Sequence, residues 1–165
     1  MSLDGYIAGP NGEFDWIVQD PTIDFNALFA QFDTFLLGRM TYELTLQPGN
    51  PGFPAGSRTF VFSRTLPARV RGFSVVRDVS RESIAPIRAQ AEKDIWLFGG
   101  GELFRNFLAL DLVDTVEVAV IPILLGQGLQ LLPPPSRQVR LQLTGQRAYP
   151  SGIVHLEYNV GTRAT

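Results

Sequence analysis

The segment Asp94 to Leu110 restricts the possible folds of this chain more than any other stretch. An apolar run, Ile95-Trp96-Leu97-Phe98, passes through three consecutive glycines, Gly99-Gly100-Gly101, into Glu102-Leu103-Phe104 and a helical pattern ending near Leu110. A short run that is apolar on both faces reads as a buried strand, and a strand that feeds a helix through glycines belongs to an α/β architecture. Glycine lets backbone amides approach a phosphate closely, and the free N–H groups and positive dipole end of the helix favour an anion. A tight strand-to-helix connection needs a glycine or two, but seldom three. The spacing is not the G-x-G-x-x-G dinucleotide fingerprint, because Phe104 stands where the last small residue belongs.

Two further apolar runs end in groups that bind anions. Thr34 to Leu37 leads into Gly38-Arg39-Met40-Thr41-Tyr42-Glu43, and Thr59 to Phe62 leads into Ser63-Arg64. An arginine beside a hydroxyl offers a charge-assisted donor and a neutral one to the same phosphate. Each pattern alone is weak, since most arginines at strand ends are simply solvated. Three strand ends of this kind point to a ligand with several phosphates, because ligands of open α/β sheets bind at the carboxyl edge of the strands.

The remaining elements follow from periodicity. Phe25, Leu28, Phe29 and Phe32 recur at helical spacing between Thr22 and Asp33, with Thr22 as the expected cap. Helices are expected over Met40 to Leu46, over Ser83 to Glu92 with Pro86 in the first turn, and over Glu102 to Leu110. Pro48 to Gly56 and Pro133 to Pro135 read as surface loops. In the last third, Val116, Val118 and Val120, then Leu141 and Leu143, then Val154, Leu156, Tyr158 and Val160 alternate with polar residues, which predicts half-exposed strands. Pro150-Ser151-Gly152 reads as the hairpin turn between the last two. The order β-α-β followed by antiparallel strands predicts a three-layer α/β/α domain with a mixed, mostly parallel sheet and a C-terminal antiparallel hairpin.

Composition excludes several functions. A length of 165 residues with 45% apolar content fits one domain spanning 1–165. A formal net charge of -2 and a pI of about 5.4 provide no basic stripe for nucleic acid. The absence of cysteine removes disulfides, thiolate metal sites and cysteine nucleophiles. No cluster of histidine and carboxylate positions signals a metal. No run is long enough to span a bilayer, and Met1-Ser2-Leu3-Asp4 does not open a signal peptide, so a soluble, cytoplasmic protein is expected. The apolar, proline-flanked Ile121 to Leu132 segment predicts an exposed patch and a homodimer.

Four motifs in register carry a resemblance. Ser2-Leu3-Asp4-Gly5-Tyr6-Ile7-Ala8-Gly9, Leu37 to Glu43, Phe98 to Leu103, and Pro122-Ile123-Leu124-Leu125-Gly126-Gln127-Gly128 occur in the order found in the reductase domain of riboflavin biosynthesis and its stand-alone relatives. The chain thus resembles the dihydrofolate-reductase-like superfamily over nearly its whole length. The resemblance implies an NADPH-dependent reductase that transfers a hydride to a small heterocycle, pterin- or pyrimidine-like. Its non-catalytic counterpart, an NADPH- or nucleotide-binding module of the same fold, is the alternative. The resemblance also implies that Gly38, Arg39 and Thr41 meet the phosphates, and that Ser63 and Arg64 meet the adenosine 2′-phosphate. Gly99, Gly100, Gly101, Glu102, Leu103 and Phe104 would cover the pyrophosphate and nicotinamide side. Trp16 would lie on a mobile loop near the nicotinamide, and Phe98 would touch the substrate. The family has a full strand before Ser-Leu-Asp-Gly, of which this chain has only the tail, so Met1 to Ala8 is expected to form a stub paired beside the Asp94 to Phe98 strand. Tyr6 stands where the riboflavin enzyme has a basic or small residue.

Asp4 is the first candidate for catalysis and substrate contact, either by touching substrate or by ordering a proton-carrying water. Asp-Gly is equally a common turn pair. Asp24, early in the first helix, is the second substrate candidate, though an acid there also complements the helix dipole. His155, the only histidine, lies on the polar side of an alternating strand and reads as solvated.

Overall fold

The apolar runs seen in the sequence are strands, and the computed structural model describes them within residues 1–161. In chain order the elements are β1 (Tyr6–Ala8), α1 (Phe25–Phe29), β2 (Phe32–Gly38), α2 (Arg39–Thr45), β3 (Arg58–Phe62), β4 (Arg69–Val70) and β5 (Phe73–Val76). There follow α3 (Arg81–Gln90), β6 (Asp94–Gly99), α4 (Gly101–Ala109), β7 (Thr115–Val120), β8 (Leu129–Gln130), β9 (Leu141–Ala148) and β10 (Val154–Val160). The chain divides into two compact units, Asp24–Asn106 and the paired segments Met1–Ile23 and Phe107–Thr165.

The unit Asp24–Asn106 is built on a five-stranded sheet in the order β4-β5-β3-β2-β6. β5, β3, β2 and β6 run parallel, and the short β4 is antiparallel to β5. Strands in the middle of a parallel sheet are covered on both faces, which is why β2 and β3 read as continuous apolar runs. Phe35, Leu37 and Val61 are 0% exposed. Phe35 packs on Phe53 at 4.6 Å between ring centroids, and Phe32 on Trp96 at 4.8 Å. Thus the Pro/Gly-rich loop of residues 48–56 contributes one aromatic anchor to the core.

Two helix expectations are corrected here. The first helix is only five residues long and is capped by Asp24, whose carboxylate accepts from the Ala27 amide at 2.9 Å. Thr22 is not the cap, because it lies two residues before Asp24, where its amide and hydroxyl donate to Asp20. α3 begins at Arg81, behind a capping box in which Ser80 and Ser83 exchange side-chain-to-backbone bonds of 3.1 Å. Pro86 therefore lies inside the helix and not in its first turn.

The other unit holds the antiparallel sheet β7-β10-β9 and the small pair β1-β8. Alternation sorts the faces: Val116, Val118 and Val120 pair with Tyr158, Leu156 and Val154, whereas Glu117 and Ala119 pair with Glu157 and His155. The β9–β10 connection closes as the expected hairpin, with the Tyr149 amide bonded to the Ile153 carbonyl at 2.9 Å.

The expected pairing of the N-terminal stub is also corrected. Ser2 forms a parallel bridge with Ile121, while Tyr6–Ala8 pairs antiparallel with β8. The Leu3 amide bonds to the Ile123 carbonyl at 2.8 Å, and the Gly5 amide turns back to Ser2 at 3.1 Å. The segment's backbone groups are thereby used along residues 121–131, and the sheet neighbour of β6 is β2. No helix among the described residues is long and apolar enough to cross a membrane.

Candidate functional site

Strand register decides which side chains meet at the carboxyl edge of the five-stranded sheet. Gly38 is level with Phe62, Phe62 is level with Val76, and Leu37 is level with Gly99. The next residues along β2, β3 and β5 are Arg39, Ser63 and Arg77, which form one row across three adjacent parallel strands. The glycines after β6 lie beside it: a Cβ on Gly38 would stand 3.5 Å from the Gly100 nitrogen, and one on Gly99 would stand 3.7 Å from the Thr41 hydroxyl. Gly99 has φ +129°, in the region that disfavours any side chain, so the turn out of β6 calls for glycine.

Sequence analysis placed Gly38, Arg39, Thr41, Ser63, Arg64 and Gly99 to Gly101 at this edge, and the fold brings them there. Arg39 is exposed and forms a 2.6 Å ion pair with Glu43, one helical turn on. An exposed pair of this kind is worth little and yields to a better anion. Ser63 is 8% exposed, and its hydroxyl oxygen accepts from the Thr65 and Leu66 amides at 3.3 Å each. Arg64 is exposed and has no hydrogen bond or ion pair among the described residues. Leu103 is 6% exposed and so turned away from a ligand, whereas Glu102 is exposed in the first turn of α4 and Phe104 is half-buried. Phe98 is 38% exposed, edge-on to Phe53 at 5.2 Å and to Trp96 at 5.2 Å, which leaves part of its ring free.

The residue that sequence analysis missed is Arg77. Its Nη1 donates to the Ser63 carbonyl at 3.2 Å and to the Leu66 carbonyl at 2.5 Å. A signal was present, since Val75-Val76-Arg77 repeats the strand-then-arginine pattern of the other two ends. It was obscured because β5 has only four residues, one of them Ser74.

In the other unit, the candidate Asp4 and a second carboxylate, Asp20, are held as anions. Asp4 accepts from the Ser2 hydroxyl at 2.6 Å, from the Gly126 amide at 2.7 Å and from the Leu125 amide at 3.1 Å. These bonds, the Ser2 hydroxyl foremost, hold its carboxyl at about 2. At neutral pH Asp4 is a hydrogen-bond acceptor with no proton to give. Asp20, 4% exposed, accepts from the Thr22 hydroxyl and amide and from the Ser151 amide, and its carboxyl lies well below the usual range for the same reason. It ties the end of the 9–20 loop to the β9–β10 hairpin. Within that loop the Trp16 indole donates to the Glu13 carbonyl at 3.0 Å, while Phe14, Ile17 and Val18 are exposed. His155 stands 3.8 Å from Glu117 and 3.4 Å from Glu157 on the polar face of its sheet, as a solvated strand residue would.

Both the sequence and the fold have counterparts among known proteins. The RibD C-terminal domain family matches residues 1–155. The chain belongs to that family. Among curated relatives, the uncharacterized protein YyaP of Bacillus subtilis is 32% identical over 170 residues, covering 96% of this chain and 90% of that protein. A solved Shewanella sp. PV-4 structure, named for riboflavin biosynthesis, is 26% identical with a TM-score of 0.84, covering 98% of this chain and 96% of its own. A dihydrofolate reductase from Enterococcus faecalis, complexed with NADP(H), shares the fold at a TM-score of 0.72 and 18% identity, covering 98% and 93%. The fold is thus of the dihydrofolate-reductase-like α/β type.

Proposed function

We propose that this chain is an NADPH-dependent reductase of a small planar heterocycle, pterin- or pyrimidine-like. The observation that carries the reading is the row of anion-binding groups at the ends of neighbouring parallel strands: Arg39, Ser63 with Arg64, and the Gly99 to Gly101 turn. A polyphosphate needs several donors on one edge, and a 2′-phosphate needs a guanidinium without a carboxylate beside it. Arg64 meets that condition, since no acid among the described residues is paired with it.

NADPH supplies the hydride when bound. The protein's part is to hold and orient. Gly38, Arg39 and Thr41 bind phosphate, Ser63 and Arg64 read the 2′-phosphate, and the backbone of Gly99 to Gly101 and Phe104 lines the same edge. The partly free ring of Phe98 offers an apolar face to a flat substrate. Asp4, already committed to the 125–126 amides, holds that segment in place. The proton that accompanies the hydride comes from solvent or substrate on this reading.

NADPH oxidation followed with a panel of pterins, pyrimidines and small carbonyl compounds tests the reading. Turnover of at least one panel member supports it. Tight NADPH binding without turnover would favour a non-catalytic nucleotide-binding module, a reading that the engaged, anionic state of Asp4 also accommodates. We further propose a homodimer, supported by the 65% exposure of Leu3 and the 69% exposure of Leu124, whose backbones run side by side.

A further inference from the structure

We infer that Arg77 is a positioning residue that sets cofactor selectivity by holding the Ser63–Leu66 turn, and through it Arg64, in place for a 2′-phosphate. The inference rests on the NADPH reading above.

Five bonds build the turn. The Ser63 amide donates to the Val76 carbonyl at 2.9 Å, which extends the β3–β5 ladder by one step and fixes where the turn begins. The amides of Thr65 and Leu66 both donate to the Ser63 hydroxyl oxygen at 3.3 Å, at the long end of the hydrogen-bond range and therefore weak. The carbonyls of Ser63 and Leu66, at the two ends of the turn, both accept from Arg77 Nη1. A charged donor shared by the first and last carbonyls is the strongest tie in the turn, because charge-assisted hydrogen bonds are about twice as strong as neutral ones. Beyond the turn, the Val75 amide donates to the Ala68 carbonyl at 3.0 Å, so the chain is anchored again after Leu66.

Arg64 lies inside this clamp and is not part of it. Its backbone is fixed by the bonds on either side, while its guanidinium has no partner among the described residues. A side chain held at its base and free at its tip loses less freedom on binding than one on a loose turn. Arg77 has its own duty at the carbonyls, so it acts through Arg64 and not as a second phosphate ligand. Its effect must then fall on the ligand that Arg64 reads. NADPH carries the 2′-phosphate and NADH does not.

The test is a double-mutant cycle on cofactor binding by calorimetry, using wild type, Arg64→Ala, Arg77→Met and the double variant, each titrated with NADPH and NADH. Arg77→Met is expected to weaken NADPH by about tenfold, within the range of couplings between residues of one hydrogen-bonded network. NADH binding should stay within about twofold of wild type, and its retention shows that the variant is folded. In the Arg64→Ala background, Arg77→Met should add little, since its route to the phosphate is gone. Arg77→Lys keeps the charge without the guanidinium fork and should give a smaller loss in the same direction, which serves if the methionine variant does not fold. Additive losses would overturn the inference by making Arg77 a direct ligand. Equal losses for NADPH and NADH would reduce it to a general stabilising residue. A wild-type protein that does not prefer NADPH would instead sink the cofactor reading itself.

Discussion

Asp4 Oδ2 accepts the Gly126 amide at 2.7 Å, joining the turn after Ser2 to a segment more than a hundred residues away in sequence. Together with the Ser2 hydroxyl and the Leu125 amide, it makes Asp4 a cross-chain tie whose strength depends on charge.

That tie predicts a pH dependence. A carboxyl lowered from 3.8 to about 2 in the folded protein contributes stability that is present above the unfolded value and lost as pH falls through the folded one. Asp20 and Asp33 are also lowered, so the wild-type melting temperature should fall in acid for more than one reason. The contribution of Asp4 is isolated by Asp4→Asn, which should begin less stable at neutral pH and lose less stability than wild type between the two values. Parallel melting curves for the two proteins across that interval would show that Asp4 is not bound in this way.

Gly128 tests the β1–β8 pairing. Its φ is +148°, and a Cβ there would stand 2.2 Å from the Ala8 carbonyl oxygen. Backbone cannot yield as a side-chain tip can, so Gly128→Ala should cost about 1–3 kcal/mol or more in chemical denaturation. An unchanged denaturation midpoint would contradict this packing.

The strands that define the sheet were legible because burial on both faces writes itself as a continuous apolar run, as in Phe35 to Leu37 and Val61 to Phe62. The candidate phosphate groups were legible for a related reason: they are the first residues after those runs. What escaped was set by contacts distant in sequence. β5 is four residues long and takes its place through pairing with β3 on one side and β4 on the other. The capping role of Asp24 and the start of α3 at Arg81 depend on backbone geometry that periodicity locates only to within a few residues. The pairing of Ser2 with Ile121 could not be read locally, since nothing in Met1-Ser2-Leu3 specifies a partner beyond residue 100. The Asp4 carboxylate was visible as half of an Asp-Gly turn, but its bonds to Leu125 and Gly126 were not.

The exposed leucines predict self-association. Light scattering should give twice the chain mass of 18.2 kDa, and Leu124→Glu, at a position 69% exposed, should return the protein to the monomer without loss of melting temperature. A wild-type monomer mass across a wide concentration range would remove the homodimer from the account.

The account's central claim is that the carboxyl edge of the sheet reads a 2′-phosphate through Arg64. Calorimetric titration of NADPH and NADH into wild type and Arg64→Ala tests it most directly. A charged hydrogen bond contributes roughly 1.5 to 3 kcal/mol, about ten- to a hundredfold in affinity. The account predicts that Arg64→Ala weakens NADPH by that factor and leaves NADH nearly unchanged. Equal losses for the two cofactors, or no loss for either, would contradict it.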